Sequence, residues 1–209
     1  MAEVRVPLGD ALEMIIAACG LPEGATTALE ARFRQLDRMG VPRGRRDRRH
    51  ARYSYGLTEL AELAVAIELM KAYVPPLIAA RYVVERWEQF APCALAGIGD
   101  EPPSAFRDRR PDRAGPRAFI AGGALSDLGR RKVRQGRSES PLANVLADPD
   151  GAAAPAGSGI VIDAAVFMPE IYRRLRAIPT VRTDDLMESL ERLRQSELRV
   201  PAERPSGVE

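Results

Sequence analysis

Apolar positions recur every three to four residues through the first ninety residues, a spacing that predicts four helices. Leu8, Leu12, Ile15, Ile16 and Cys19 line one face of the first, from Leu8 to Cys19, and Gly20 is its natural stop. The second opens at Thr26 or Thr27. Thr27 and Glu30 stand at the spacing of a capping box, in which the two side chains satisfy each other's free backbone N–H groups. Leu29, Phe33, Leu36 and Met39 form its apolar face, and Gly40 and Pro42 end it. The third, Gly56 to Tyr73, carries the strongest signal. Leu60, Leu63, Ala64, Ile67, Leu69 and Met70 cover too wide an arc for one buried side, so burial on two sides is expected. Val74-Pro75-Pro76 breaks it and sets Pro76 at the first position of a fourth helix, Leu77 to about Phe90, with Ala80, Val83, Val84 and Trp87.

The periodicity then lapses. Residues 97–116 are rich in Pro, Gly, Arg and Asp and read as an exposed linker. Beyond it, Arg117 to Gly123 and Ala143 to Ala147 are short β candidates, and Gly159 to Asp163 is the clearest strand. The stretch from Pro149 to Gly159 is low in complexity. A helix follows around Phe167 to Leu175, with Pro169 at its start. The last helix, Thr183 to about Leu198, opens with Thr183, Asp184 and Asp185 as cap and first-turn charge. The expected organisation is an N-terminal domain over 1–92, a linker over 93–116, a small α/β module over 117–200 for dimerisation or regulation, and a disordered tail over 201–209.

Charge changes this picture at one place. The chain of 209 residues has a formal net charge of only +2, yet Arg32, Arg34, Arg38, Arg43, Arg45, Arg46, Arg48, Arg49 and Arg52 fall within one short stretch, against Asp37 and Asp47. Every one of these cations is arginine, whose planar fork suits bidentate contact with phosphate or a guanine edge. Arg32, Arg34, Gln35 and Arg38 lie largely off the apolar stripe of the second helix. Two short helices joined by a tight turn, the second carrying arginines, describe a helix-turn-helix. The arginine-rich segment after it stands where a winged helix-turn-helix places its wing, against the phosphate backbone. The expected fold class is therefore mainly α: an N-terminal winged helix-turn-helix, a small α/β C-terminal module and a C-terminal helix.

Arg34-Gln35-Leu36-Asp37-Arg38-Met39-Gly40-Val41-Pro42, followed by Arg52-Tyr53-Ser54, resembles in order and spacing the DNA-binding domain of the MerR family. That family's second helix ends in a pattern like R-Y-[YW]-E-R-x-G-L-x-P, and its wing ends in R-x-Y-S or R-Y-S. The resemblance covers roughly the first ninety residues. The family's aromatic pair is replaced here by Gln35-Leu36, the wing is richer in arginine, and no long heptad helix follows. The resemblance implies a transcriptional regulator. Arg34 and Arg38 would face DNA from the recognition helix, and Arg52 and Tyr53 would contact its backbone from the wing. Taken together, Thr27, Arg32, Arg34, Gln35 and Arg38 are expected to read the major groove. Arg43, Arg45, Arg46, Arg48, Arg49, Arg52 and Tyr53 are expected to hold phosphates or enter the minor groove.

The expected partners are double-stranded DNA, a second copy of the chain as homodimer, and RNA polymerase. Two other readings stay open: an adaptor whose arginines dock an acidic protein surface, and an RNA binder, for which stacking aromatics are few. Catalysis lacks its parts. His50 is the only histidine and lies in the arginine run, and no metal-ligand spacing or P-loop is present. No cofactor and no enzymatic activity are expected. Cys19 and Cys93 belong to no C-x-x-C motif and read as reduced thiols filling core space. Met1 to Pro7 does not look like a signal peptide, and no apolar run reaches the ~20 residues of a membrane span. A cytoplasmic, nucleoid-associated location is expected, and the arginine-rich composition points to a bacterial source.

Overall fold

The computed structural model describes residues 3–22, 24–43, 54–103, 106, 116–121 and 159–196. It is mainly helical: β1 (Val6–Pro7), α1 (Leu8–Ala18), α2 (Thr26–Arg38), β2 (Ser54–Tyr55), α3 (Leu57–Lys71), α4 (Pro76–Gly97), β3 (Arg117–Ala121), β4 (Gly159–Asp163), α5 (Ala164–Arg176) and α6 (Thr183–Ser196). β1 pairs antiparallel with β2, Val6 opposite Tyr55 and Pro7 opposite Ser54. β3 pairs antiparallel with β4, running from Arg117 opposite Asp163 to Ala121 opposite Gly159. The β candidate at 143–147 and the tail beyond 200 lie outside the described residues.

α3 is the centre of the molecule. Leu57, Leu60, Ala61, Leu63, Ala64, Val65, Ala66, Ile67 and Leu69 are all buried, so the helix has apolar contacts nearly all round. α1, α4, α5 and α6 all pack on it. A helix apolar over so wide an arc cannot leave a face in water, and α5 and α6 are among the elements that cover it. The hydrophobic core continues across residue 92 among the described residues. Phe167, Ile171, Leu175, Leu190 and Leu193 share one hydrophobic core with Leu12, Ile15, Leu60 and Trp87.

One helix cap and two helix boundaries differ from expectation. α2 begins at Thr26 with Ala25 as its N-cap and no side-chain cap, so Thr27 is inside the helix and the expected capping box is absent. The cause is a turn in which the Ala25 N–H donates to the Pro22 carbonyl and leads directly into helical geometry. α4 is kinked at Arg86 (φ −133°, ψ 16°) and continues past Phe90, across Pro92, to Gly97, where buried Cys93, Ala94 and Leu95 hold the added length, about two turns. The expected linker thus starts inside a helix. α5 opens at Ala164 with the Asp163 carboxylate accepting from the Ala165 N–H, which places Pro169 within the helix and not at its start.

Other expectations hold. Gly40 ends α2 at φ 92°, with the Val41 N–H donating to the Leu36 carbonyl. Pro76 is the first residue of α4. Both cysteines are free and buried, and burial pushes both thiols up, Cys93 to about 11. Among the described residues no helix is long and apolar enough to cross a membrane.

Candidate nucleic-acid interface

α2 is two-sided. Leu29, Phe33 and Leu36 are buried, and Phe33 meets Tyr55 of β2 at 6.0 Å between ring centroids. At 3.6 residues per turn, Thr27, Ala31, Arg34 and Arg38 follow one another on the opposite side. All four are exposed, and Arg32 is exposed on a different flank of the helix. Ala31, Gln35, Arg38 and Met39 outline a shallow depression of about 340 Å³ on this surface.

Most interactions of the outward arginines are local. Arg34 Nη2 donates to Glu30 Oε1 at 2.5 Å, Arg32 Nη1 to Gln35 Oε1 at 3.1 Å, and Arg38 Nε to the Arg34 carbonyl at 3.2 Å. An exposed i,i+4 pair is worth only about 0.3–0.5 kcal/mol, so a phosphate or a base edge can displace the carboxylate at small cost. Of the five residues expected to face a major groove, Thr27, Arg34 and Arg38 therefore share an outward surface, Arg32 is exposed on another flank of α2, and Gln35 is half-buried.

Arg45, Arg46, Arg48, Arg49, Arg52 and Tyr53 lie outside the described residues. The two ends of their segment are described, and both are fastened. At one end the Arg43 N–H donates to Glu62 Oε2 at 2.7 Å and Arg43 Nε to Glu62 Oε1 at 2.9 Å. The Arg43 guanidinium lies 5.5 Å from the centroid of the Trp87 ring. Trp87 Nε1 in turn donates to Ser196 Oγ of α6 at 2.8 Å. At the other end Ser54 and Tyr55 form β2 against β1, and Arg5 Nη1 donates to the Ser54 carbonyl at 3.1 Å. Arg5 also pairs with Glu59 of α3 at 2.7 Å and with Glu3 at 3.0 Å. Arg192 of α6 reaches Glu3 at 2.9 Å. Both fastenings thus end on α3 and α6.

Arg43 departs from the expected phosphate-facing role. Its side chain keeps only 17% of its exposure and is spent on Glu62, which keeps 3%. Glu62 is the residue that reading the sequence missed, along with Arg5 and Trp87 as its neighbours in the fastening. The available signal was a carboxylate inside the otherwise apolar run Ala61 to Ile67. Such a group must find a partner or be neutralised. Burial pushes Glu62 up to about 7, with Arg43 pulling it back and Glu59 adding to the rise.

No family model, curated protein or solved structure matches the chain. The functional reading therefore rests on this geometry and on the residues themselves. Among the described residues no group of histidine, cysteine and carboxylate side chains has the arrangement of a metal site. A second depression, about 300 Å³, lies between the end of α4, α5 and α6, with Glu101, Tyr172, Arg176 and Thr183 on its walls.

Proposed function

We propose that this protein is a double-stranded DNA-binding transcriptional regulator of the MerR-like winged helix-turn-helix type. α2 acts as the recognition helix and the arginine-rich segment after it as the wing. The observation that carries this reading is the outward row Thr27, Arg34 and Arg38 on α2, directly followed by a basic segment rooted at both ends on the same core. A rigid helix presents arginines to base edges, while a cationic loop supplies the sequence-independent attraction to phosphate. A homodimer would place two such heads on one duplex, with RNA polymerase as the partner through which regulation is exerted.

The test is selection and sequencing of random duplex DNA bound by the purified chain at near-physiological salt. Enrichment of one motif is expected, and an inverted repeat with half-sites about 10 base pairs apart would add the dimer. Weak recovery with no motif overturns the reading and leaves the arginines as a docking surface for an acidic protein.

A further inference from the structure

Glu62 and Arg43 form a pair that nothing in simple DNA reading requires. We propose that Arg43 is a phosphate ligand held in reserve: ionised Glu62 draws its guanidinium inward over Trp87, and protonation of Glu62 releases it to a nucleic-acid phosphate. The inference rests on the nucleic-acid reading above and adds a regulation of that same site.

Three features of the geometry carry it. Arg43 is the last described residue before the basic segment of the sequence, and its side chain keeps 17% of its exposure, so it lies at the edge of the core and not in its middle. Glu62 meets it with both oxygens, one taking the backbone N–H and the other Nε. Neither Nη of Arg43 has a hydrogen-bond partner among the described residues, so one edge of the fork is unused while the other is held. The pair is therefore half-committed. The backbone bond can persist to a neutral carboxyl group, while the charge-assisted side-chain bond loses most of its strength when Glu62 is protonated.

The setting of Glu62 makes this reachable at ordinary pH. Burial raises its proton affinity, and only Arg43 opposes that strongly. The other charged group acting on it is Glu59, one turn earlier on α3, which pairs at 2.7 Å with Arg5, the residue before β1. α4 contributes Trp87 beside the Arg43 guanidinium, α6 contributes Ser196 as acceptor to Trp87 Nε1, and neither titrates in this range. Once Glu62 is neutral, the guanidinium is left in a largely buried position with no countercharge, which favours its exit toward solvent or phosphate.

The full chain provides its own reporter, because Trp87 is its single tryptophan. His50 is its single histidine and would also gain charge in this range, so every comparison is made in a His50→Gln background. Tryptophan fluorescence, followed without nucleic acid, is expected to change in one transition near pH 7 and to lose that transition in Glu62→Gln. Binding to a short duplex over a salt series is then compared at about pH 6 and about pH 8. The log–log salt slope is expected to be steeper by about one unit at the lower pH, the mark of one added phosphate contact. Glu62→Gln should show the steep slope at both pH values and Arg43→Met the shallow one at both.

A flat fluorescence titration, or a slope that does not change with pH in the His50→Gln protein, overturns the proposal, and neither reading depends on a Glu62 variant folding well. A pH-dependent slope that persists in Arg43→Met overturns it too. A fluorescence transition with no affinity for duplex at either pH would retain the Glu62 gate and overturn the nucleic-acid reading.

Discussion

Arg34 and Arg43 are nine positions apart and each pairs with a glutamate, yet the two pairs have opposite characters. Arg34 and Glu30 keep 72% and 32% of their side-chain exposure, whereas Arg43 and Glu62 keep 17% and 3%. Water competes for the first pair, so its net worth is small and it is easily exchanged for a ligand. The second is shut away, and the partner left behind by any change has no solvent to turn to. The same residue type thus stands open to solvent on the outer face of α2, where recognition is proposed, and serves as an anchor at the seam of α3 and α4. What separates the two roles is the helix that supplies the carboxylate. Glu30 stands on the polar side of an amphipathic helix, and Glu62 on a helix buried all round.

The sharpest way to break this contrast is to remove each arginine in turn. Arg43→Ala is expected to cost about 3 kcal/mol in denaturant unfolding near pH 8, because it strands the buried Glu62 carboxylate. The pH dependence has a fixed sign. Glu62 is raised above its ordinary 4.5 in the folded chain, and more so without Arg43, so the stability tied to its proton is fully present below about 4.5 and is lost as pH rises. The penalty of Arg43→Ala should therefore shrink on acidification. A penalty that stays constant between about pH 5 and about pH 8 would mean that Glu62 is not the group left stranded.

The inward half of the comparison can be tested away from charge. A Cβ on Gly97 would stand 2.6 Å from the backbone of Ala164, where α4 crosses the start of α5. Gly97→Ala is expected to destabilise by about 1–3 kcal/mol, read by thermal or denaturant unfolding. An unchanged midpoint would show that α5 does not seat against α4 as described.

Tyr73 sharpens the contrast from the outer side. It is 96% exposed and holds φ 62° at the end of α3, where the Val74 N–H donates to the Leu69 carbonyl. Glycine is the usual residue in that conformation, and the tyrosine ring is almost wholly in water. Tyr73→Gly should therefore raise stability, by up to about 1 kcal/mol, although it deletes the larger side chain. A clear loss would point to contacts that the ring's exposure does not reveal. The smallest effect on folding belongs to Arg34→Ala, expected within about 0.5 kcal/mol of the parent protein.

Much of the frame was legible because its signals are local. The wide apolar arc from Leu60 to Met70 marked the central helix, and Gly40 with Pro42 marked the end of α2. Pro76 marked the start of α4, and Arg117 and Gly159 the strands that pair. What was not legible depends on distant partners. Val6–Pro7 and Ser54–Tyr55 are too short to read as strands until they meet. Nothing near Phe167 or Leu190 says that these residues complete the core of helices a hundred positions earlier. Arg43 looked like one more cation of the basic run, because its partner Glu62 lies nineteen residues on in a stretch that reads as apolar. Thr27 failed as a cap for a local reason, since the preceding turn had already set the helix going at Thr26.

Whether α2 reads DNA is decided by duplex binding of the Arg34→Ala, Arg38→Ala double variant, over a salt series, on whichever sequence the parent protein selects. Folding close to that of the parent, weaker binding, and relaxed preference at the base positions these arginines face are expected of a recognition helix. Affinity and preference equal to those of the parent would contradict it, and would remove α2 from the interface.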